Sequence, residues 1–156
     1  MKIRTANKFD TPYFIQLIKR INETDELGDI VCGELDDNHL NSIFQTILAG
    51  AGICFVAEHQ DEVVGIVAGI ISPNIWAPKY LFMHEIIYFV ELDYRRTRCG
   101  YLLFKEFDNY CKQLVEQKRI HHVSLTMPKT LLDMDFERFG YELNEQTWVK
   151  KGMRHE

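Results

Sequence analysis

The sequence predicts a mixed β-sheet with helices packed on it, in the α/β or α+β range, and three observations carry that expectation. Segments of strand and helix character follow one another in the order β, α, α, β, β, β, α, β, α, β, β. Residues 80–90, "YLFMHEIIYFV", are apolar on both faces, as a central strand would be. Directly after them, "ELDYRRTRCGYLLFKEFDNY" crowds three arginines into four positions and then becomes an apolar-striped helix.

Residues 2–5 open the chain as a short strand. Asp10 is placed to cap a helix over residues 11–23, with Pro12 in its first turn and Phe14, Leu17, Ile18 and Ile21 at helical spacing. The segment "NETDELGDIVCGELDD" carries seven carboxylates and no base, so it reads as an exposed loop. A second helix over residues 37–49 uses Leu40, Ile43, Phe44, Ile47 and Leu48, and stops at Gly50-Ala51-Gly52. "GICFVAEH" and "VVGIVAGIIS" form a hairpin joined by "QDE". Gly65 and Gly69 share one face of the second of these strands, where a backbone or a ligand can approach closely.

After "PNIWAP" comes the fourth strand, then the arginine loop, then a helix to about residue 117 with Leu103, Phe107, Tyr110, Cys111 and Leu114 on its buried stripe. "HHVSLTM" is the fifth strand. "LLDMDFERFGYEL" supplies a short helix capped by Gly140 and a new strand from Tyr141, and "TWVKK" closes the sheet.

Bulk properties narrow the function classes. A chain of 156 residues is one domain, 1–156, with residues 151–156 as a flexible tail. A net charge of −5 argues against nonspecific nucleic-acid binding. Cys32, Cys54, Cys99 and Cys111 form no CxxC pair, and read as free thiols in a reducing cytoplasm. The N-terminus lacks the apolar core of a secretory signal, and no apolar run is long enough to span a bilayer. His121 and His122 are strand neighbours that point apart, so no metal site is expected.

The arginine loop is the informative feature. A strand ending at Val90, a tight basic turn and a helix beginning near Cys99 and Gly100 present backbone N–H groups at a positive helix end, which suits a phosphate. Arg95, Arg96 and Arg98 add charge, and Gly100 lets the backbone come close. No GxxxxGK[ST] and no GxGxxG after the first strand are present, so neither a P-loop NTPase nor a Rossmann enzyme fits.

The stretch resembles the acetyl-CoA-binding signature of the GNAT superfamily of N-acetyltransferases, V-x-P-x-Y-R-G-x-G-x-G followed by an amphipathic helix. Val90, Tyr94, Arg95 and Gly100 match it, while Leu92 replaces the proline and Arg96 and Arg98 replace glycines. The element order is similar over nearly the whole chain, and "FERFGYEL" resembles the family's closing F-x-x-x-G-F/Y element.

The resemblance implies a mixed, mostly antiparallel sheet flanked by helices and splayed between strands four and five. It implies acetyl-CoA as co-substrate, with the backbone of Tyr88, Phe89 and Val90 holding the pantetheine. The loop from Arg95 through Arg96, Thr97, Arg98, Cys99 and Gly100 to Tyr101 would hold the phosphates. It places a base at Glu85 or His84, which alternate to opposite faces unless a bulge intervenes, and Glu85 is preferred because apolar surroundings raise a carboxyl pKa.

The family's usual acid, a tyrosine four residues before the glycine of the last helix, is Phe136 here. The asparagine that often precedes that helix is also not apparent among Pro128, Lys129 and Thr130. Tyr141, Tyr110 or water are the alternatives for the thiolate's proton. The implied activity is acetyl transfer to a primary amine of a small molecule or a protein, with homodimers compatible. The acidic loop suits either plain solvation or a cationic acceptor. A GNAT-fold binding or regulatory module without catalysis is the competing reading, favoured by Phe136 and the altered loop. A nucleic-acid contact is the weakest, for want of exposed interleaved aromatics.

Overall fold

The structure, a computed structural model, describes residues 1–24, 34–127, 134–148 and 150. Most of the acidic loop, Cys32, the Pro128–Lys129–Thr130 positions, residues 131–133 of the last expected helix, Val149 and the 151–156 tail lie outside the described residues.

Strands β1 (Lys2–Thr5), β2 (Gly52–His59), β3 (Glu62–Pro73), β4 (Leu81–Val90) and β5 (His122–Ser124) form one sheet in the order β1-β2-β3-β4-β5. Every neighbouring pair is antiparallel except β4 and β5, which run parallel. The β2–β3 connection is a two-residue turn in which Gln60 and Asp61 both have positive φ, the twist that matches a hairpin.

Helices α1 (Thr11–Thr24) and α2 (Asp37–Thr46) cover one face. Phe14, Leu17 and Ile21 of α1 and Phe44 of α2 pack with Val56, Ile66, Ala68, Ile87 and Phe89 of the sheet, and the rings of Phe14 and Phe44 stack at 4.6 Å. Asp36 caps α2, its carboxylate accepting from Asn38 N–H and His39 N–H. One turn of π-helix (Ile47–Ala51) carries α2 into β2, and Gly50 there has φ +106°, a conformation only glycine adopts cheaply.

Helix α3 (Cys99–Glu116) covers the other face, with Leu103, Phe104, Phe107, Cys111 and Leu114 against Val67, Met83 and Val90. Its close approach explains two glycines. A Cβ on Gly65 would stand 2.8 Å from Leu103 Cδ1, and one on Gly69 would stand 3.0 Å from Phe107 Cε2. The nearest group is thus a side chain at each, Leu103 of α3 at Gly65 and Met83 of β4, at 2.7 Å, at Gly69, where a backbone or a ligand was expected. Cys54, Cys99 and Cys111 are free and buried.

Four expectations are corrected. Asp10 is not the cap of α1. Asn7 caps a preceding 3-10 turn (Lys8–Asp10), Asp10 returns a carboxylate to Asn7 N–H at 2.8 Å, and the same carboxylate forms a fork with Arg4 at 2.8 and 2.9 Å. The fifth strand pairs over three residues instead of seven. No strand follows among the described residues: 142–148 lie exposed, with Leu143 83% and Trp148 89% accessible. A strand needs a ladder partner for its N–H and C=O groups, and so short a β5 offers little template. Over the described part of the last expected helix, residues 134–140, the chain makes a 3-10 turn (Phe136–Phe139), capped by Asp135 and ended by Gly140 at φ +86°.

Candidate active site

The site grows from an irregularity in β4. Ala68 pairs with Ile87 and Gly69 with Glu85, so Ile86 has no partner on β3 and forms a bulge. The bulge resets the alternation of side chains. Before it, Met83 and Glu85 share the α3 side of the strand; after it, Tyr88 and Val90 take that side, while Ile87 and Phe89 enter the α1/α2 core.

Beside the bulge, β4 and β5 part. Their ladder ends at His84 with Ser124. Two residues on, Thr126 N–H donates to Glu85 Oε2 at 3.2 Å, so a side chain spans the gap where backbone pairing has stopped. Glu85 is only 6% exposed, and burial, partly opposed by that hydrogen bond, pushes its carboxyl up to about 7. His84 lies on the other face, its Nδ1 2.5 Å from Ser124 Oγ. The two expected base candidates thus face opposite ways, and each has one partner on the β5 side. His121 packs against Tyr80 and His122 stacks on Phe82 at 3.6 Å.

The titration of Glu85 has a consequence for stability. A carboxyl raised from 4.5 to about 7 in the native state stays protonated there while the unfolded chain ionises, so stability falls as pH rises from about 4.5 through 7. The cost over that window is about 3 kcal/mol. Glu85→Gln removes it. Urea unfolding should find the variant gaining about 3 kcal/mol on the wild type between pH 4.5 and pH 8. Parallel pH profiles would show that Glu85 ionises freely in the folded protein.

Past Val90 the chain makes a 3-10 turn (Leu92–Tyr94) and enters the arginine loop. Arg95 Nε donates to Val90 C=O at 2.9 Å, and its guanidinium lies 5.2 Å from the centre of the Phe89 ring; Arg20 of α1 sits 5.6 Å from the same ring. Glu91 accepts from Arg20 at 2.6 Å and from Tyr13 Oη at 2.9 Å, which ties α1 to the end of β4.

At the start of α3, Thr97 Oγ1 accepts from Cys99 N–H at 3.1 Å and Arg98 C=O accepts from Leu102 N–H at 2.9 Å. The N–H groups of Gly100 and Tyr101 between them meet no acceptor among the described residues, at the positive end of an 18-residue helix. Gly100 also accommodates Tyr88, whose Oη would stand 2.5 Å from a Cβ there.

These parts border a cleft of about 520 Å³. Tyr88 and Val90 of β4, Arg95 and Thr97 of the loop, and Tyr101 of α3 make one wall, and Met134, Asp135, Arg138 and Phe139 make the other. Of the residues singled out in the sequence, Phe89 and Cys99 are buried away from this cleft, and Arg96 and Arg98 are exposed, Arg98 lying 6.0 Å from the Tyr101 ring. The opposite wall had no signal beyond the closing motif, whose Phe136 packs edge-on to Phe104 at 5.0 Å. Tyr141 donates to the buried Asp108 at 3.1 Å, and Tyr110 packs against Phe55 of β2. Burial, then the Asp108 charge, raises the Tyr141 phenol far above its ordinary range.

A mixed sheet that parts beside a bulged central strand, with a basic turn and a helix N-terminus at the mouth of the parting, defines an acetyltransferase-type architecture. The family model described as the acetyltransferase (GNAT) family matches residues 16–141, and the chain belongs to that family. Among curated proteins none matches it significantly.

Solved structures share the fold at low identity. A predicted acetyltransferase from Clostridium acetobutylicum, with acetyl-CoA, has a TM-score of 0.71 and 15% identity, covering 97% of this chain and 95% of that one. Glucosamine-6-phosphate N-acetyltransferase from Arabidopsis thaliana has a TM-score of 0.69 and 17% identity, covering 96% and 97%. An aminoglycoside acetyltransferase from an uncultured soil metagenomic sample, in complex with sisomicin, has a TM-score of 0.63 and 20% identity, covering 97% and 94%. No helix among the described residues is long and apolar enough to cross a membrane.

Proposed function

We propose that this protein transfers an acetyl group from acetyl-CoA to a primary amine, which attacks the thioester carbonyl directly. The observation that carries this reading is Glu85: a carboxyl pushed up to about 7, buried where β4 and β5 part. An acid–base group titrating near the working pH is both available to take a proton and basic enough to keep it.

The cleft supports acetyl-CoA as co-substrate. Its phosphates would meet Arg95 and the unpaired N–H groups of Gly100 and Tyr101, and Tyr88 to Val90 would carry the pantetheine arm beside the bulge toward Glu85. In the reaction the amine nitrogen bonds to the thioester carbon, the C–S bond breaks, and Glu85 takes the ammonium proton. Water returns a proton to the thiolate, because Phe136 has no hydroxyl and the hydroxyl of Tyr141 is engaged with Asp108. Relatives named for an aminoglycoside and for glucosamine 6-phosphate make a small amine the first class of acceptor to try.

Thermal melting tests the co-substrate. Acetyl-CoA at a hundredfold excess over its dissociation constant should stabilise the protein by about 2.7 kcal/mol, and a thiol-release assay across a panel of amines should then find the acceptor. An unchanged melt at millimolar acetyl-CoA would overturn the reading.

A further inference from the structure

We propose that Arg138 is a second phosphate-binding side chain, reaching acetyl-CoA from the wall opposite the arginine loop. The inference rests on the acetyltransferase reading above and deepens it. Two features of the cleft point to it.

The first is placement. Arg138 lines the same cleft as Arg95 but comes from the 3-10 turn, a separate stretch of chain. With Arg98 beside Tyr101, guanidinium groups stand on both sides of one opening. Acetyl-CoA carries a diphosphate and a 3′-phosphate, more negative charge than one arginine can match, and arginine forks suit phosphate oxygens.

The second is how Arg138 is held. Its Nε donates to Asp135 Oδ2 at 2.9 Å, while Asp135 Oδ1 accepts from Arg138 N–H at 3.4 Å. The side chain is 84% exposed, so the ion pair contributes little to folding. It does fix the guanidinium by one edge, and among the described residues the terminal Nη donors meet no other group. Arg95 on one wall and Arg138 on the other thus flank the opening, beside the backbone N–H groups at the start of α3.

Calorimetry with acetyl-CoA and with acetyl-pantetheine, which lacks the phosphates, tests the assignment. R138Q should bind acetyl-CoA about tenfold more weakly, bind acetyl-pantetheine as the wild type does, and melt unchanged without ligand. Its acetyl-CoA affinity should also fall less steeply with salt. Equal acetyl-CoA affinity in R138Q and wild type would overturn the assignment and leave the acetyltransferase reading standing. Equal losses for both ligands would overturn it too, by showing that Arg138 acts through the shape of the turn. Failure of the wild type to bind acetyl-CoA would overturn the acetyltransferase reading, and this assignment with it.

Discussion

Glu85→Gln should lower turnover by about 10²–10⁴-fold at neutral pH while leaving acetyl-CoA affinity nearly unchanged. Glutamine keeps the shape of the side chain and can still accept from Thr126 N–H, which now bonds Glu85 at 3.2 Å, so the gap between β4 and β5 stays bridged. What it lacks is a site for the amine's proton. The wild-type rate should climb with pH through a single ionisation near 7, the value to which burial pushes this carboxyl. The variant should recover part of its rate at high pH, where free amine is already abundant. His84→Gln is the matched control, because its ring faces the other side of the sheet, against Ser124. Loss of activity in His84→Gln with Glu85→Gln spared would transfer the base to His84. Near-normal rates in both would mean that no side chain here takes the proton.

The sequence made the regular elements legible, because their periodicities are written in residues that end up buried. Phe14, Leu17 and Ile21 set the register of α1, and Leu103, Phe107, Cys111 and Leu114 that of α3. The loop between β4 and α3 was legible through its arginines and Gly100. What stayed hidden depends on partners distant in sequence. Nothing in "HEIIYFV" marks Ile86 as a bulge, since the irregularity exists only relative to Gly69 and Ala68 on β3. The buried role of Asp10 depends on Arg4 across a turn. Trp148 and Leu143 have strand-like composition, yet among the described residues they find no sheet to join. A charged residue in a short turn is ordinarily solvated, so nothing in the sequence sets Arg138 apart, and only the cleft shows what it faces.

Phe104→Ala should cost about 3–5 kcal/mol of stability, the range for truncating a fully buried phenylalanine. The ring is fully buried on α3. It meets Phe136 at 5.0 Å, Phe139 at 4.9 Å, Tyr141 at 5.7 Å and Tyr88 at 6.1 Å between centroids, so one side chain joins the far wall of the cleft to β4 and α3. For a chain of this size the loss corresponds to a melting temperature lower by roughly 6–20 °C. The damage should be uneven. Besides these aromatic contacts, the Tyr141 bond to Asp108 fastens this segment to α3, and Asp108 also pairs with Lys112 at 2.6 Å. Hydrogen exchange should therefore show residues 136–141 opening in the variant under conditions where the β2–β3 hairpin stays protected. Acetyl-CoA affinity should fall with it, because Met134 and Phe139 line the cleft only while the turn is docked. Tyr141→Phe, which keeps the ring and removes one hydrogen bond, should cost only about 1 kcal/mol. A loss below that value in Phe104→Ala would mean that the aromatic cluster does not hold the wall, and the cleft would have to be bounded by something else.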